Sequence, residues 1–256
     1  MNDPIVIIGI GEIGGVLARG FLRTGHPVYP VTRDMDLALQ AQQTPEPAMV
    51  VVAVGEQALS PLLEVLPPPW RERCVLLQNE LLPADWTRHH LPSPTVMSVW
   101  FEKKPGQDVK QVVPTPVYGP HAAAVLKALG AVGIDGVQLD DPDALLFELV
   151  RKNLYILTTN LCGLEVGGDV AALANEHADL LVTISGEVLD LQEALTGQKL
   201  DRGALVEAMH VAFAGDPAHR CQGRSAPARL QRAVAQGERL GLKLPALHEL
   251  GARHLG

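Results

Sequence analysis

Cysteine is scarce in this chain of 256 residues: there are three, Cys74, Cys162 and Cys221, an odd number set far apart. They form no CxxC and no disulfide framework, so a reducing compartment is expected. Long apolar runs are missing as well. The longest, Ala48 to Val54, is about a third of the roughly 20 residues a membrane helix needs, which excludes a membrane partner. No charged-then-apolar leader precedes the first strand-like segment, so a cytoplasmic protein is expected. Positive charge is in deficit, with 21 Lys plus Arg against 29 Asp plus Glu and a net charge of −8; nucleic acid is therefore not an expected partner. Low-complexity tracts and internal repeats are also absent. With 47% apolar residues and dispersed Gly and Pro, disorder and fibrous repeats are excluded. Cys and His lie too far apart for a recognisable metal site, and none is expected.

What is present falls into two halves. Ile5 to Ile8 is a β-branched run suited to a strand buried on both faces. Gly9 to Arg23 carries apolar residues at helical spacing and closes at Thr24-Gly25. Strand signals follow at 28–32, 49–54 and 74–77, alternating with a helical stretch starting at Asp34 and another at 58–66 that the prolines at 67–69 stop. Further strands are expected at 96–101, 112–118 and 137–139, with a helix at 121–129. Asp140-Asp141-Pro142 is a break with good capping residues, after which strand signals fade. Helices are expected at 143–161, 170–195, 202–213 and 228–240. The chain thus reads as an α/β domain over 1–141 and an all-helical domain over 142–256.

Gly9-Ile10-Gly11-Glu12-Ile13-Gly14 is a GxGxxG that follows a strand and opens a helix. The first glycine permits the tight turn, the second lets backbone approach a pyrophosphate, and the third lets helix and strand pack closely. The N–H groups of the helix start, at Glu12, Ile13 and Gly14, face the phosphates. At the end of the second strand, Thr32 and Arg33 occupy the reading position for the ribose, with Asp34 one residue late. A guanidinium there suits a 2′-phosphate, so NADP(H) is expected rather than NAD.

In the helix past the break, Lys152, Ile156 and Asn160 are spaced i, i+4, i+8 and share one face, opposite an apolar side of Leu149, Val150, Leu154, Leu157 and Leu161. A lysine on the drier side of such a helix is a candidate general acid. Desolvation lowers its pKa, and its cation stabilises a developing alkoxide. The alternative is a lysine at the exposed edge of an amphipathic helix.

The sequence resembles the ketopantoate (2-dehydropantoate 2-) reductases. The resemblance is carried by the glycine loop with Arg33, by Val50 to Val54 leading into Gly55, by Leu76-Leu77-Gln78-Asn79, by Arg151-Lys152 through Asn160-Leu161, and by Ile184 to Val188. It implies a Rossmann-type parallel-sheet domain followed by an all-helical domain, an architecture like that of 6-phosphogluconate dehydrogenase. It further implies an NADPH-dependent reductase of a 2-oxo acid or related carbonyl compound, with Lys152 as proton donor. Asn79 and Asn160 orient cofactor and substrate, Val54, Gly55 and Asn79 line the cofactor, and the assembly is a homodimer through the helical domain. Alternatives are a non-catalytic NADP(H)-binding protein on this fold, or a 3-hydroxyacid or imine-type reductase.

The chain departs from that family's pattern at defined places. Gly55 stands where a lysine usually follows the third strand, Glu80 replaces the glycine of "NG", and Ile156 replaces an asparagine. The substrate-holding glutamate falls at about Pro227 and the serine near Gly215. In their place, residues 219–256 hold seven Lys/Arg and two acids. Arg220 and Arg224, in the Gly/Pro-rich loop, are candidates to contact a substrate carboxylate or the cofactor phosphate, while Arg229 and Arg232 read as a solvated helix face. His210 and His219 are alternative proton donors near neutral pH, with structural or surface duty the expectation for either.

Overall fold

The computed structural model describes residues 2–255. Its first compact unit is Met1–Leu149 and its second Val150–Gly256. In the first, β1 (Ile5–Ile8) leads into α1 (Glu12–Arg23), β2 (Val28–Val31), α2 (Leu37–Gln43), β3 (Met49–Val52), α3 (Glu56–Glu64), the short α4 (Pro68–Arg71) and β4 (Cys74–Leu76). Then come α5 (Pro83–Thr87), β5 (Thr95–Met97), the β6 (Phe101–Glu102) and β7 (Lys110–Gln111) pair, β8 (Thr115–Tyr118), α6 (Ala122–Gly130) and β9 (Gly136–Gln138). The main sheet runs in the order β2-β1-β3-β4-β5-β8-β9. The strands are parallel except where β8 pairs antiparallel with β5, and β6 pairs with β7 in a separate ribbon. This is a Rossmann-type sheet domain.

The apolar run of β1 explains the sheet's centre. All four residues are buried, between β2 on one side and β3 on the other, in the register Ile5 opposite Val28 and Met49. Ile5, Ile7, Met49, Val51 and Val75 pack with Val16, Leu17 and Phe21 of α1 and with Val125 and Leu129 of α6. Each fully buried aliphatic side chain stabilises by about 1.5–3 kcal/mol. Because β2 and β3 lie on opposite sides of β1, the crossovers diverge there. In an open α/β sheet that divergence leaves a crevice at the carboxyl ends of the two strands.

The second unit contains the body of α7 (Pro142–Val166), then α8 (Val170–Glu176), α9 (Ala178–Thr196), α10 (Arg202–Gly215), α11 (Ala226–Arg239) and α12 (Pro245–His254). No helix of the described residues is long and apolar enough to cross a membrane. Asp141 caps α7, its Oδ1 accepting from Ala144 N at 2.7 Å, as the Asp-Asp-Pro break leads one to expect. The units divide at Leu149 and Val150, within α7, whereas the break at 141/142 marks the start of that helix.

Several sequence expectations are corrected. The cap of α2 is Asp36, not Asp34: its Oδ1 accepts from Ala38 N and Leu39 N, and the helix begins at Leu37. The single helix expected over 170–195 is two, because the backbone at His177 leaves the helical region (φ −129°, ψ 37°) with no glycine or proline to announce it. Helix α12 carried no recognised signal. Its N-terminal N–H groups at Ala246 and Leu247 donate to the buried Glu187 of α9 at 2.8 and 2.9 Å, a cap supplied from about 60 residues away.

Candidate functional sites

In the first unit the glycine motif sits where β1 and β3 end. Gly9 has φ +92°, and a Cβ there would lie 2.6 Å from the carbonyl oxygen of Ala53. Only glycine lets the exit of β1 lie against the exit of β3. A Cβ on Gly14 would meet the carbonyl oxygen of Gly9 at 2.1 Å, so the first turn of α1 rests directly on the turn before it. At Gly11 the added Cβ would meet nothing within 4 Å. The second glycine thus faces open space, where backbone can approach a ligand. No side chain caps α1 at Gly11, so its first N–H groups and the positive end of its dipole point into the same space.

That space opens into a cavity of about 610 Å³ lined by Gly9, Ile10 and Gly11, by Val31, Thr32 and Arg33 after β2, by Met35 and Leu37, and by Val54 and Gly55 after β3. Ala58, Pro61 and Leu62 of α3 complete its wall. Of the residues singled out for a cofactor, Gly9, Gly11, Thr32, Arg33, Val54 and Gly55 therefore line one cavity, and Glu12, Ile13 and Gly14 form the helix start beside it. Arg33 is exposed and lines the cavity, whereas Asp34 does not. Free backbone N–H groups at a helix start, an apolar wall and a cavity at the carboxyl ends of β1 and β3 fit a dinucleotide.

Asn79 lies outside that lining, beyond β4. Its Nδ2 donates to Glu56 Oε1 at 3.2 Å. Its neighbour Gln78 is buried and ties the ends of β3 together, Nε2 donating to the carbonyl oxygens of Val52 (2.6 Å) and Val54 (3.1 Å). Glu80 then takes φ +60°, a left-handed conformation that favours glycine. Lys103, past β6, was not anticipated: its Nζ lies 3.4 Å from Glu12 Oε2, bringing a cation to the motif while Gly55 supplies none.

In the second unit α7 carries Lys152 and Asn160. Lys152 is half-buried, its Nζ 5.8 Å from the centroid of the Tyr155 ring. Burial pushes its ammonium from 10.5 down to about 7, with the charges of Arg229 and Arg151 acting in the same direction. Asn160 is buried. Its Oδ1 accepts from Arg229 Nη1 at 2.7 Å, and its Nδ2 donates to the carbonyl oxygen of Cys221 at 3.2 Å.

The basic tail is thus redistributed. Arg220 and Arg224 are exposed, and so is Pro227. Arg229, expected on a solvated face, is buried in the first turn of α11. The spacing carried the signal: Ala226, Arg229, Leu230 and Ala233 form one buried stripe at helical period. His219 packs against Tyr155, with ring centroids 5.9 Å apart. Burial pushes the thiols of Cys162 and Cys221 up, to about 12 and about 11, so neither is a nucleophile at neutral pH.

No family model matches the chain, and no curated protein matches it in sequence. Solved structures do match its fold. A 2-dehydropantoate 2-reductase from Methylococcus capsulatus is 15% identical, with a TM-score of 0.71, covering 98% of this chain and 95% of that one. A D-mandelate dehydrogenase solved with NADH is 16% identical, with a TM-score of 0.67, covering 98% and 97%. A dimeric ketopantoate reductase from Staphylococcus aureus is 16% identical, with a TM-score of 0.63, covering 98% and 97%. At these identities the likeness is one of fold: a Rossmann-type sheet domain followed by a helical one.

Proposed function

We propose that this protein is an NADPH-dependent reductase of a 2-oxo acid or a related carbonyl compound. The observation that carries the reading is Lys152, a half-buried lysine whose ammonium is held near neutral pH. It stands in a fold shared with proteins named for reducing 2-dehydropantoate and for dehydrogenating D-mandelate, one a 2-oxo acid and the other a 2-hydroxy acid. Fold alone does not choose a substrate. A lysine poised to give up a proton at neutral pH is what a developing alkoxide requires.

NADP(H) would be held by the residues whose geometry fits it. The turn Gly9–Gly11 and the N–H groups of Glu12, Ile13 and Gly14 receive the pyrophosphate. Thr32 and Arg33 receive the 2′-phosphate, and Val54 and Gly55 form the wall. When bound, it supplies the hydride that goes to the carbonyl carbon. Lys152 donates a proton to the carbonyl oxygen, and its cation stabilises negative charge on that oxygen beforehand. Asn79, its amide held by Glu56, orients the reacting groups, and Asn160 holds the polar face of α7. A homodimer, the state of the Staphylococcus aureus neighbour, is the expected assembly.

The test is a titration of purified protein with NADPH, followed by fluorescence, and then turnover with a panel of 2-oxo acids. Lys152→Ala should bind NADPH and lose the rate by a factor of about 10² or more. Tighter binding of NADH than NADPH would remove the role given to Arg33. A second reading, a non-catalytic NADP(H)-binding protein, is favoured by Pro227, exposed where the resembled family places its substrate-holding glutamate. NADPH binding with no turnover of any carbonyl compound would establish that reading instead.

A further inference from the structure

We propose that Lys103 is a positioning residue for the dinucleotide: it holds the Glu12 carboxylate away from the helix start that receives the pyrophosphate. This rests on the reading of the first-unit cavity as a dinucleotide site, and adds to it a residue outside the cavity lining.

Glu12 is the first residue of α1 and follows directly on Gly11, which lines the cavity. Its own N–H is among the groups given to the pyrophosphate, so its carboxylate is within a side chain's length of that position. An acid in the first turn of a helix is drawn to the same dipole end and the same N–H groups as an anionic ligand. The motif thus carries a competitor for its own ligand. Yet no side chain caps α1. The Glu12 carboxylate is turned to Lys103 instead, its Oε2 lying 3.4 Å from Nζ.

Lys103 is built to hold it there. It follows β6, whose Phe101 is buried in the core of the sheet domain, and the β6–β7 ribbon pairs Phe101 with Gln111 and Glu102 with Lys110. The Lys103 side chain is 18% exposed against 43% for Glu12. A second bond fixes the ammonium, Nζ donating to the carbonyl oxygen of Lys104 at 2.9 Å. The cation is therefore the fixed partner and the carboxylate the one that can swing. Without Lys103, the remaining draw on the carboxylate is the positive end of α1. A pair this exposed adds little to folding stability, so its effect is read in ligand affinity.

Fluorescence titration of the full chain with NADPH, or with NADH should that bind tighter, tests this in two backgrounds at low salt. In the native background Lys103→Met should weaken binding roughly three- to tenfold, the effect of one uncompensated charge near the phosphates in a partly solvated site. Glu12→Gln should bind slightly tighter than the wild type, and adding Lys103→Met to it should cost nothing further. Lys103→Arg, which restores the ion pair, should regain most of the affinity. At about 1 M salt, where charges are screened within about 3 Å, the gap between Lys103→Met and the wild type should close. Lys103→Met should melt within about 4 °C of the wild type, and Lys103→Gln replaces it in the titrations if it fails to fold. A loss of equal size in both backgrounds would give Lys103 a cofactor contact of its own and overturn the positioning role. No loss in either background overturns it too, while leaving the cavity reading intact. If the wild type binds neither NADPH nor NADH, the cavity reading fails and the role of Lys103 with it.

Discussion

Two alanine substitutions in one glycine motif should fail in opposite ways. At Gly14 the new Cβ would be placed 2.1 Å from the carbonyl oxygen of Gly9 and 3.2 Å from its carbonyl carbon. That is more than an ångström inside an ordinary contact of roughly 3.5 Å. Both groups are backbone, so no rotamer change relieves it; β1, its turn and α1 must move apart. Overpacking of this kind costs about 1–3 kcal/mol, and a backbone clash belongs at the upper end. With a melting shift of about 2–4 °C per kcal/mol at this size, Gly14→Ala should lose roughly 6–12 °C. At Gly11 the new Cβ meets nothing within 4 Å, and the backbone there (φ −71°, ψ −164°) suits any residue. Gly11→Ala should therefore melt within about 4 °C of the wild type, the residual cost being that of alanine at an N-cap. Its NADPH affinity, however, should fall at least about tenfold, because the methyl stands where the pyrophosphate must approach the α1 N–H groups. Scanning calorimetry and a fluorescence titration on the same two preparations decide the matter. A Gly11→Ala protein that binds NADPH with wild-type affinity would refute the placement of the phosphates, and with it the assignment of the cavity.

Three further outcomes are expected. Glu187→Gln removes the charge from the cap of α12 and turns one acceptor into a donor facing the N–H groups of Ala246 and Leu247, so denaturant unfolding should show a loss of about 1–3 kcal/mol. Glu80→Gly relieves a left-handed residue and should raise stability by about 0.5–1 kcal/mol in the same assay, since the strain removed exceeds the extra chain entropy of glycine. The pH dependence of Lys152 has two signs to check. As a general acid it must be protonated in the free enzyme, so kcat/KM for reduction should be level below about pH 7 and fall tenfold per unit above it. As a buried cation its pKa is lower in the folded than in the unfolded chain, so its destabilisation is complete below about 7 and fades as pH rises towards 10.5. Lys152→Met should remove both dependences, and a kcat/KM profile for the variant that still breaks near 7 would assign the proton to another group.

The parts of the fold written in local pattern were legible in the sequence. The Ile5–Ile8 run, the strand at Met49, the Asp141 cap and the glycine turn each depend on residues within a few positions of one another. The parts that were not legible depend on distant partners. Helix α12 is capped by Glu187 from another helix, the break at His177 has no breaker residue, and Asp36 rather than Asp34, two residues earlier, caps α2. Among the candidate site residues, Arg229 was misplaced for a different reason. Its spacing with Ala226 and Leu230 marked it as buried, but seven cations in the last 38 residues made the whole segment read as a solvated surface.

Under the proposed reading the two units recognise their ligands by different means, and this bears on how far each can drift. The turn beside the cavity in the first unit presents backbone N–H groups, and it needs glycine at two positions of contact, Gly9 and Gly14, with open space at a third. Almost any side chain can stand between them. Glu12, a carboxylate in the glycine motif, has Lys103 3.4 Å away to offset its charge. The candidate site in the second unit works through side chains, and each of these must be replaced by a group of matched chemistry or the reaction changes. Where the resembled family has a lysine, two asparagines and a glutamate, this chain keeps Lys152 and Asn160, has Ile156, and leaves Pro227 exposed. Arg229, a buried base, is bonded to the retained asparagine. A glutamate accepts hydrogen bonds from a substrate hydroxyl, whereas a guanidinium donates to a carboxylate and cannot accept. Under the proposed reading the candidate proton donor Lys152 is kept while the groups expected to meet substrate differ, which would put the divergence in specificity rather than in the chemical step.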